Sequence, residues 1–352
     1  MKSLKRTLLT AIASLSLVLL QEGLPAQAKP IGPRAEPVDV GIAQVKSTKA
    51  NDFYKQAEKQ LPEDYYVLYR IIERLARANG LDSSPWRVYI SPKYDINAYA
   101  TEVNKLAFFS GLLDMLHGDN DAIACVAGHE MAHHVRNHIP MGEAQKKKIL
   151  EQLRAEAVEE VAAEKKDLRE DLQRIKIGNW IAGQAGSLGS LIPKSGGVPG
   201  LIGGLVGSLL NGERQRRLED AVKRIDQIAA AKEANIRKQW RELDHKHEFE
   251  ADQFGYQYIV RAGFKPEGCL RLMAFLNRLP GNETASDSHP ATPDRINALK
   301  SLASQYPSAT LVAEGRKKMA VSPKPLTYAL SRDRVSLRIN SKSGSNKGGF
   351  PE

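Results

Sequence analysis

Five consecutive residues, His129-Glu130-Met131-Ala132-His133, constrain this chain more than any other feature. Histidines four apart project from one face of an α-helix, one turn from each other, so both imidazoles can address a single ion. The flanks support a helix there. Asp119-Asn120-Asp121 offers a cap and favourable negative charge at its start, and Pro140 closes it after about His138. The face shared with both histidines carries Ala122, Cys125, Val126, Ala132 and Arg136, which predicts a helix largely buried on that side. Imidazoles at this spacing suit zinc, and Glu130, rotated by about 100° from His129, is turned toward a water on the ion rather than toward the ion itself.

Zinc in a hydrolytic site takes three protein ligands and leaves one position for water, so a third ligand is sought downstream, for one ion per chain. In the segment Lys246-His247-Glu248-Phe249-Glu250-Ala251-Asp252-Gln253-Phe254-Gly255, residues Glu248, Ala251, Asp252 and Gly255 share a helical face with Ile259 and Ala262. The small residues Ala251, Gly255 and Ala262 let that face approach another helix closely. Glu248 then reaches the metal, and Asp252, one turn on, accepts the other ring N–H of a ligating histidine. Glu250 is rotated by about 200° from Glu248 and ranks below it. His245 and His247 also rank below, because Glu248 shares a face with Asp252 and they do not. His134 and His138 read as polar-surface or supporting groups.

The first 28 residues carry Lys2, Lys5 and Arg6, an apolar run from Leu8 to Leu20 and Ala26-Gln27-Ala28, which is the pattern of a secretory signal. Its cleavage removes three positive charges and Glu22, taking the formal net charge from +10 to +8. A basic exported protein located in the periplasm or cell envelope, or secreted beyond it, is expected, and export disfavours nucleic acid as a partner. Cys125 and Cys269 are the two cysteines. Two buried free thiols are the preferred reading, with a disulfide between them as the alternative that an oxidising compartment permits.

Residues 29–50 read as a flexible leader and residues 51–305 as one domain. The fold class is α+β: mainly helical with a small antiparallel sheet and an inserted helical hairpin at 143–246. Helices are expected from Leu61 to Asn79, Gly111 to Leu116, Glu248 to Ala262, Glu267 to Asn277 and Asp294 to Ser304, with strands at Trp86–Ile90, Asn97–Thr101 and Leu106–Phe109. Residues 306–352 read as a C-terminal extension, with a hairpin at 326–339 and disorder toward the end. The Gly-rich, apolar stretch 197–212 is too short to span a bilayer. Packing of this hairpin tip on its own domain or on a copy of the chain, as a homo-oligomer, is the plainer use, and peripheral membrane contact is the other.

The combination H-E-M-A-H and E-F-E-A-D-Q-F-G resembles the M48 family of zinc metallopeptidases. Ile96-Asn97-Ala98-Tyr99-Ala100, Leu106 to Leu113 with Gly111, Arg261-Ala262-Gly263-Phe264, and Ser288-His289-Pro290 with Arg295 resemble further family elements, in order, over roughly residues 55–305. The resemblance implies a zincin-like core with His129, His133 and Glu248 as ligands, Asp252 supporting a ligand histidine, and Glu130 activating water. It also implies that His289 stabilises the oxyanion and that Arg295 braces the site. His289 filling the fourth zinc position at rest is a further expectation. Substrate is expected to lie extended along a sheet edge near Asn97 to Phe109, with Asn97, Ala98, Tyr99 and Ala100 in contact. The implied activity is zinc-dependent endopeptidase action on misfolded or unassembled envelope proteins. A non-catalytic chaperone or binding protein with a structural zinc is the alternative, and a zinc hydrolase of non-peptide substrates is a second.

Overall fold

The computed structural model describes residues 48–101, 104–138, 141–170, 172, 212–286 and 288–344. The signal segment, the leader up to residue 47, the Gly-rich stretch through residue 211 and the last residues from 345 lie outside them. The chain divides into two units, the first formed by residues 1–140 with 241–352 and the second by residues 141–240. The described residues are mainly helical with one small sheet, an α+β class as expected.

In the first unit, α1 (Thr48–Gln60) leads into α2 (Glu63–Asn79). Glu63 and Asp64 sit in the first turn of α2, where they complement the helix dipole. Gly80 ends it at φ 69°, a left-handed turn that only a residue without Cβ adopts freely. The inward face of α2, with Leu68, Tyr69, Ile72 and Leu75 fully buried, packs on the sheet. Each fully buried leucine or isoleucine there contributes about 1.5–3 kcal/mol.

The sheet is built from β1 (Trp86–Ser91), β2 (Ala98–Thr101), β3 (Lys105–Phe109), β4 (Tyr328–Leu330) and β5 (Ser336–Ile339), in the order β2-β3-β1-β5-β4. It is mixed rather than antiparallel throughout. β1 and β3 run parallel, with Val88 opposite Leu106 and Ile90 opposite Phe108, while the other neighbours are antiparallel. The physical reason is the order of insertion. After β1 the chain crosses to the outer edge as β2 and comes back past Asn104 (φ 54°) as β3, which fills the gap between them in the same direction as β1. Trp86, Val88, Leu106, Phe108, Leu337 and Ile339 are all buried in the core that α2 shares.

Next come α3 (Ser110–Met115) and α4 (Asn120–Val135), the helix with both histidines of the opening motif. Asp119 caps α4 by accepting from the Ala122 N–H at 3.0 Å. The same Asp119 takes two hydrogen bonds from Arg271 on α7 (Glu267–Leu276), at 2.6 and 2.7 Å. One turn before His129, Cys125 is disulfide-bonded to Cys269 of α7, with Cα atoms 5.2 Å apart, which corrects the expectation of two free thiols. The two cysteines stand 144 positions apart in the chain, so their spacing gives no hint of the pairing. Such a bond typically adds about 2–4 kcal/mol.

The long helix α6 (Gly212–Arg261) runs unbroken through the position where separate helices are expected. No proline interrupts residues 212–261, and Gly255 alone follows Gly212. After α7, helix α8 (Thr292–Gln305) is followed by α9 (Ser308–Ala320), which the sequence does not announce because only Leu311 and Gly315 are fully buried in it. The hairpin expected at 326–339 is present as β4 and β5, and residues 308–339 belong to the first unit. Lys318 on α9 donates to the Asn79 carbonyl at 2.8 Å, and β5 pairs with β1 in the middle of the sheet.

The second unit holds α5 (Glu143–Glu164), a 3₁₀ turn at Lys166–Leu168 and the part of α6 up to Trp240. Ala157, Val158, Val161, Ala162 and Leu168 pack with Leu218, Ala221, Ile225 and Ala229 in an apolar seam. Exposed ion pairs flank it, Arg154 to Asp226 at 2.6 Å and Arg217 to Asp167 among them, and their order along the chain makes the two arms antiparallel. No described helix is long and apolar enough to cross a membrane.

Candidate metal centre

The site forms where α4 and the last part of α6 touch backbone to backbone. A Cβ built on Gly255 would stand 2.9 Å from the His129 nitrogen, and one on Gly128 would stand 2.9 Å from Ile259 Cγ2 and 3.1 Å from the Gly255 carbonyl. Two glycines facing each other therefore set the helix separation, and with it the distance of Glu248 from the histidines.

His129 Nε2 lies 3.0 Å from His133 Nε2 and 3.7 Å from Glu248 Oε2, and His133 Nε2 lies 3.2 Å from Glu248 Oε1. Donor atoms of all three fall within 4.8 Å of one another. Tetrahedral zinc with bonds of 2.0–2.2 Å holds its ligands about 3.3–3.6 Å apart, so this spacing suits the ion. The donor set suits it too. His129 Nδ1 lies 3.0 Å from Asp252 Oδ1, so the N–H on that side points to a carboxylate and Nε2 presents a lone pair. Two imidazole nitrogens and a carboxylate converge on one point, where a shared proton or a bound cation can satisfy them.

Glu248 and Asp252 are both buried, at 3% and 5% exposure. Burial pushes the Glu248 carboxyl up, but His289, Arg295 and His129, with the bond to His133, outweigh it and hold the carboxyl well below the usual carboxylate range. Asp252 is likewise held low against burial, by Arg295 and then His129. Arg295, from the first turn of α8, reaches both carboxylates. Its Nε and Nη2 bond Asp252 at 2.8 and 2.7 Å, and Nη1 lies 3.1 Å from Glu248 Oε2. Burial lowers the Arg295 guanidinium and the two carboxylates more than restore it, so it stays charged.

Glu130 is 9% exposed, and its charge acts on both His133 and Arg295. His289 sits in a loop where its own N–H donates to Ser286 Oγ at 2.9 Å. Its Nδ1 stands 3.1 Å from Glu248 Oε2, and neither ring nitrogen has a hydrogen-bonding partner among the described residues. His129, Glu130, His133, Glu248, Asp252, His289 and Arg295 are thus gathered in one place.

Asn97, Ala98, Tyr99 and Ala100 lie on β2 and just before it, and β2 packs against α4. β2 is the outer strand of the sheet, paired on one side to β3, with Tyr99 opposite Ala107. Of the stretch expected to offer an edge, Leu106–Phe109 does not. It belongs to β3, which is paired on both sides. The histidine after the second ligand ties that outer strand to α4: His134 Nδ1 donates to the Thr101 carbonyl at 3.0 Å, and its ring meets Trp86 edge-on. Burial pushes His134 down from the ordinary histidine value, in keeping with a neutral ring.

The sequence reads His138 as a polar-surface or supporting group, and the structure places it behind His133. His138, brought back by Asn137 at φ 58°, places Nδ1 3.2 Å from His133 Nδ1, and its ring stacks on His247 at 4.2 Å. Glu250 lies 3.4 Å from His138 Nε2 and accepts from Arg136 at 2.6 Å. The i+5 spacing of His138 from His133 is not a helical-face spacing, so no periodicity points to it. His245, the other histidine near Glu248, faces away, to the Ser286 carbonyl at 2.8 Å.

Comparison with known proteins agrees with this geometry. The chain is 30% identical over 97 residues to the mitochondrial metalloendopeptidase OMA1 of Schizosaccharomyces pombe, a stretch covering 25% of this chain and 28% of that protein. No solved structure matches it. The profile described as Peptidase family M48 matches residues 63–192 and 201–303, which include His129, Glu130, His133, Glu248, Asp252, His289 and Arg295. With more than half of its length matched, the chain belongs to peptidase family M48.

Proposed function

We propose that this chain is a zinc-dependent endopeptidase that cleaves exported or envelope polypeptides, misfolded or unassembled ones first among them. The observation that carries the reading is the convergence of His129, His133 and Glu248 beside an intact Glu130. A purely structural zinc has no use for that glutamate. Export is supported by the N-terminal signal pattern and by the Cys125–Cys269 bond, which suits an oxidising compartment.

In this reading His129, His133 and Glu248 hold the ion, with Asp252 fixing the His129 ring through Nδ1. Zinc held there makes water acidic near neutral pH and polarises the scissile carbonyl. Glu130 takes a proton from the attacking water and returns it to the leaving amine nitrogen. His289, with ring nitrogens free of other partners, donates to the oxygen on which negative charge develops. Arg295 keeps Glu248 and Asp252 ionised and in place. The side of β2 left unpaired among the described residues, at Ala98–Ala100, takes an extended substrate by main-chain pairing, which reads shape rather than sequence.

Glu130→Gln tests the chemistry. The variant is expected to keep its zinc and to lose casein cleavage by about 10²–10⁴-fold, the usual contribution of a general acid–base. Cleavage at the wild-type rate would refute the role of Glu130. Zinc retained with no cleavage by either protein would favour the binding or chaperone reading.

A further inference from the structure

The two ligand histidines are supported differently. His129 meets the Asp252 carboxylate directly through Nδ1, at 3.0 Å. Among the described residues, His133 meets no carboxylate through Nδ1. It meets another imidazole, His138 Nδ1, at 3.2 Å, and His138 is 6% exposed. Two ring nitrogens at that distance need one N–H and one lone pair between them. If His133 is to offer Nε2 to a cation, the N–H must be on His133 Nδ1 and the lone pair on His138 Nδ1. His138 then carries its proton on Nε2, and Glu250 Oε2 stands 3.4 Å from that atom. Glu250 is itself held by Arg136 Nε at 2.6 Å. The His247 ring stacks on His138 at 4.2 Å and 15°, which fixes the plane of the imidazole.

Resting on the zinc reading above, we infer that His138 is a positioning residue for His133. It relays the carboxylate of Glu250 so that His133 is held in the tautomer that frees Nε2. His133 donates to His138, His138 donates to Glu250, and Glu250 also accepts from Arg136, an order of bonds that leaves His133 Nε2 bare. Asp252 does the same for His129 in a single step. Glu250, passed over as a ligand, thus acts on the site from one residue further out.

The test compares His138→Phe, His138→Asn and Glu250→Ala with the wild type. Phenylalanine keeps a ring for the His247 stack but cannot accept from His133 Nδ1, whereas asparagine places an amide oxygen near the position of His138 Nδ1. Zinc affinity is read by chelator competition, and the ligand field by the visible spectrum of the cobalt-substituted protein. His138→Phe is expected to weaken zinc binding by about 10–100-fold and to shift the cobalt spectrum, as loss of a ligand's supporting hydrogen bond generally does. His138→Asn should recover most of that loss, and Glu250→Ala should weaken binding less than His138→Phe. Wild-type affinity and spectrum in His138→Phe would overturn the relay. So would equal losses in the Phe and Asn variants, which mark packing rather than hydrogen bonding. If His138→Phe fails to fold, Glu250→Ala decides, and unchanged affinity there overturns the proposal. Absence of zinc from the wild-type protein would instead defeat the metal reading itself.

Discussion

Two stretches of the same helix, α6, do opposite things with charge. Between Leu218 and Ala229 it presents an apolar seam and keeps its charges outside, where Arg154 and Asp226 pair at 46% and 38% exposure. Between Glu248 and Gly255 it buries two carboxylates and sets one buried arginine against both, with His289 and His129 beside them. Exposed pairs of the first kind are worth little, because water and salt screen them and long side chains must be ordered to form them. Buried charges of the second kind cost several kcal/mol each to desolvate and persist only where every one is partnered. A seam built only for stability would be apolar in both places. The cost accepted at Glu248 and Asp252 marks the stretch that serves chemistry.

The contrast can be broken at either end. Arg295→Leu strands two buried carboxylates and is expected to destabilise the metal-free first unit by about 3–5 kcal/mol in denaturant unfolding. It should also alter acid sensitivity. In the wild type the depressed Glu248 and Asp252 contribute stability that is complete above the ordinary carboxylate range and fades as pH falls through their lower folded values. Removing Arg295 takes away much of that depression, so the acid transition should move to higher pH; an unchanged transition would mean the arginine does not carry the charge balance.

Leu218→Ala in the second unit should cost about 2–5 kcal/mol, visible as faster amide exchange in that unit. Gly255→Ala forces a Cβ to 2.9 Å from the His129 nitrogen and should cost about 1–3 kcal/mol, with weaker zinc binding as the helices part. At the small end, Arg154→Ala should cost under about 1 kcal/mol, and that little should shrink further in salt. A loss for Arg154→Ala as large as that for Arg295→Leu would erase the distinction between the two stretches.

Much of the site is legible in the sequence, because its spacing is helical. The i, i+4 step of His129 and His133 and the shared face of Glu248, Asp252 and Gly255 follow from 3.6 residues per turn, and Gly255 signals the close approach. What lies between elements is not legible this way. Cys125 and Cys269 meet across 144 positions, and the parallel pairing of β1 and β3 depends on which strand takes the edge first. His138 reaches His133 through a left-handed turn at Asn137, and α9 buries only Leu311 and Gly315 fully while Lys318 near its end bonds the Asn79 carbonyl, a pattern with little periodic trace. Arg295 is suggested by resemblance alone, and its fork onto Asp252 with a third contact to Glu248 emerges only in three dimensions.

The proposed zinc site draws its ligands from two helices joined at facing glycines. The most direct measurement is zinc per chain after dialysis against a weak chelator, in the wild type and in Glu248→Ala, with folding of both checked by circular dichroism. One ion per chain in the wild type and near none in a folded Glu248→Ala is the predicted result. A metal-free wild type, or a full ion retained without Glu248, would contradict it.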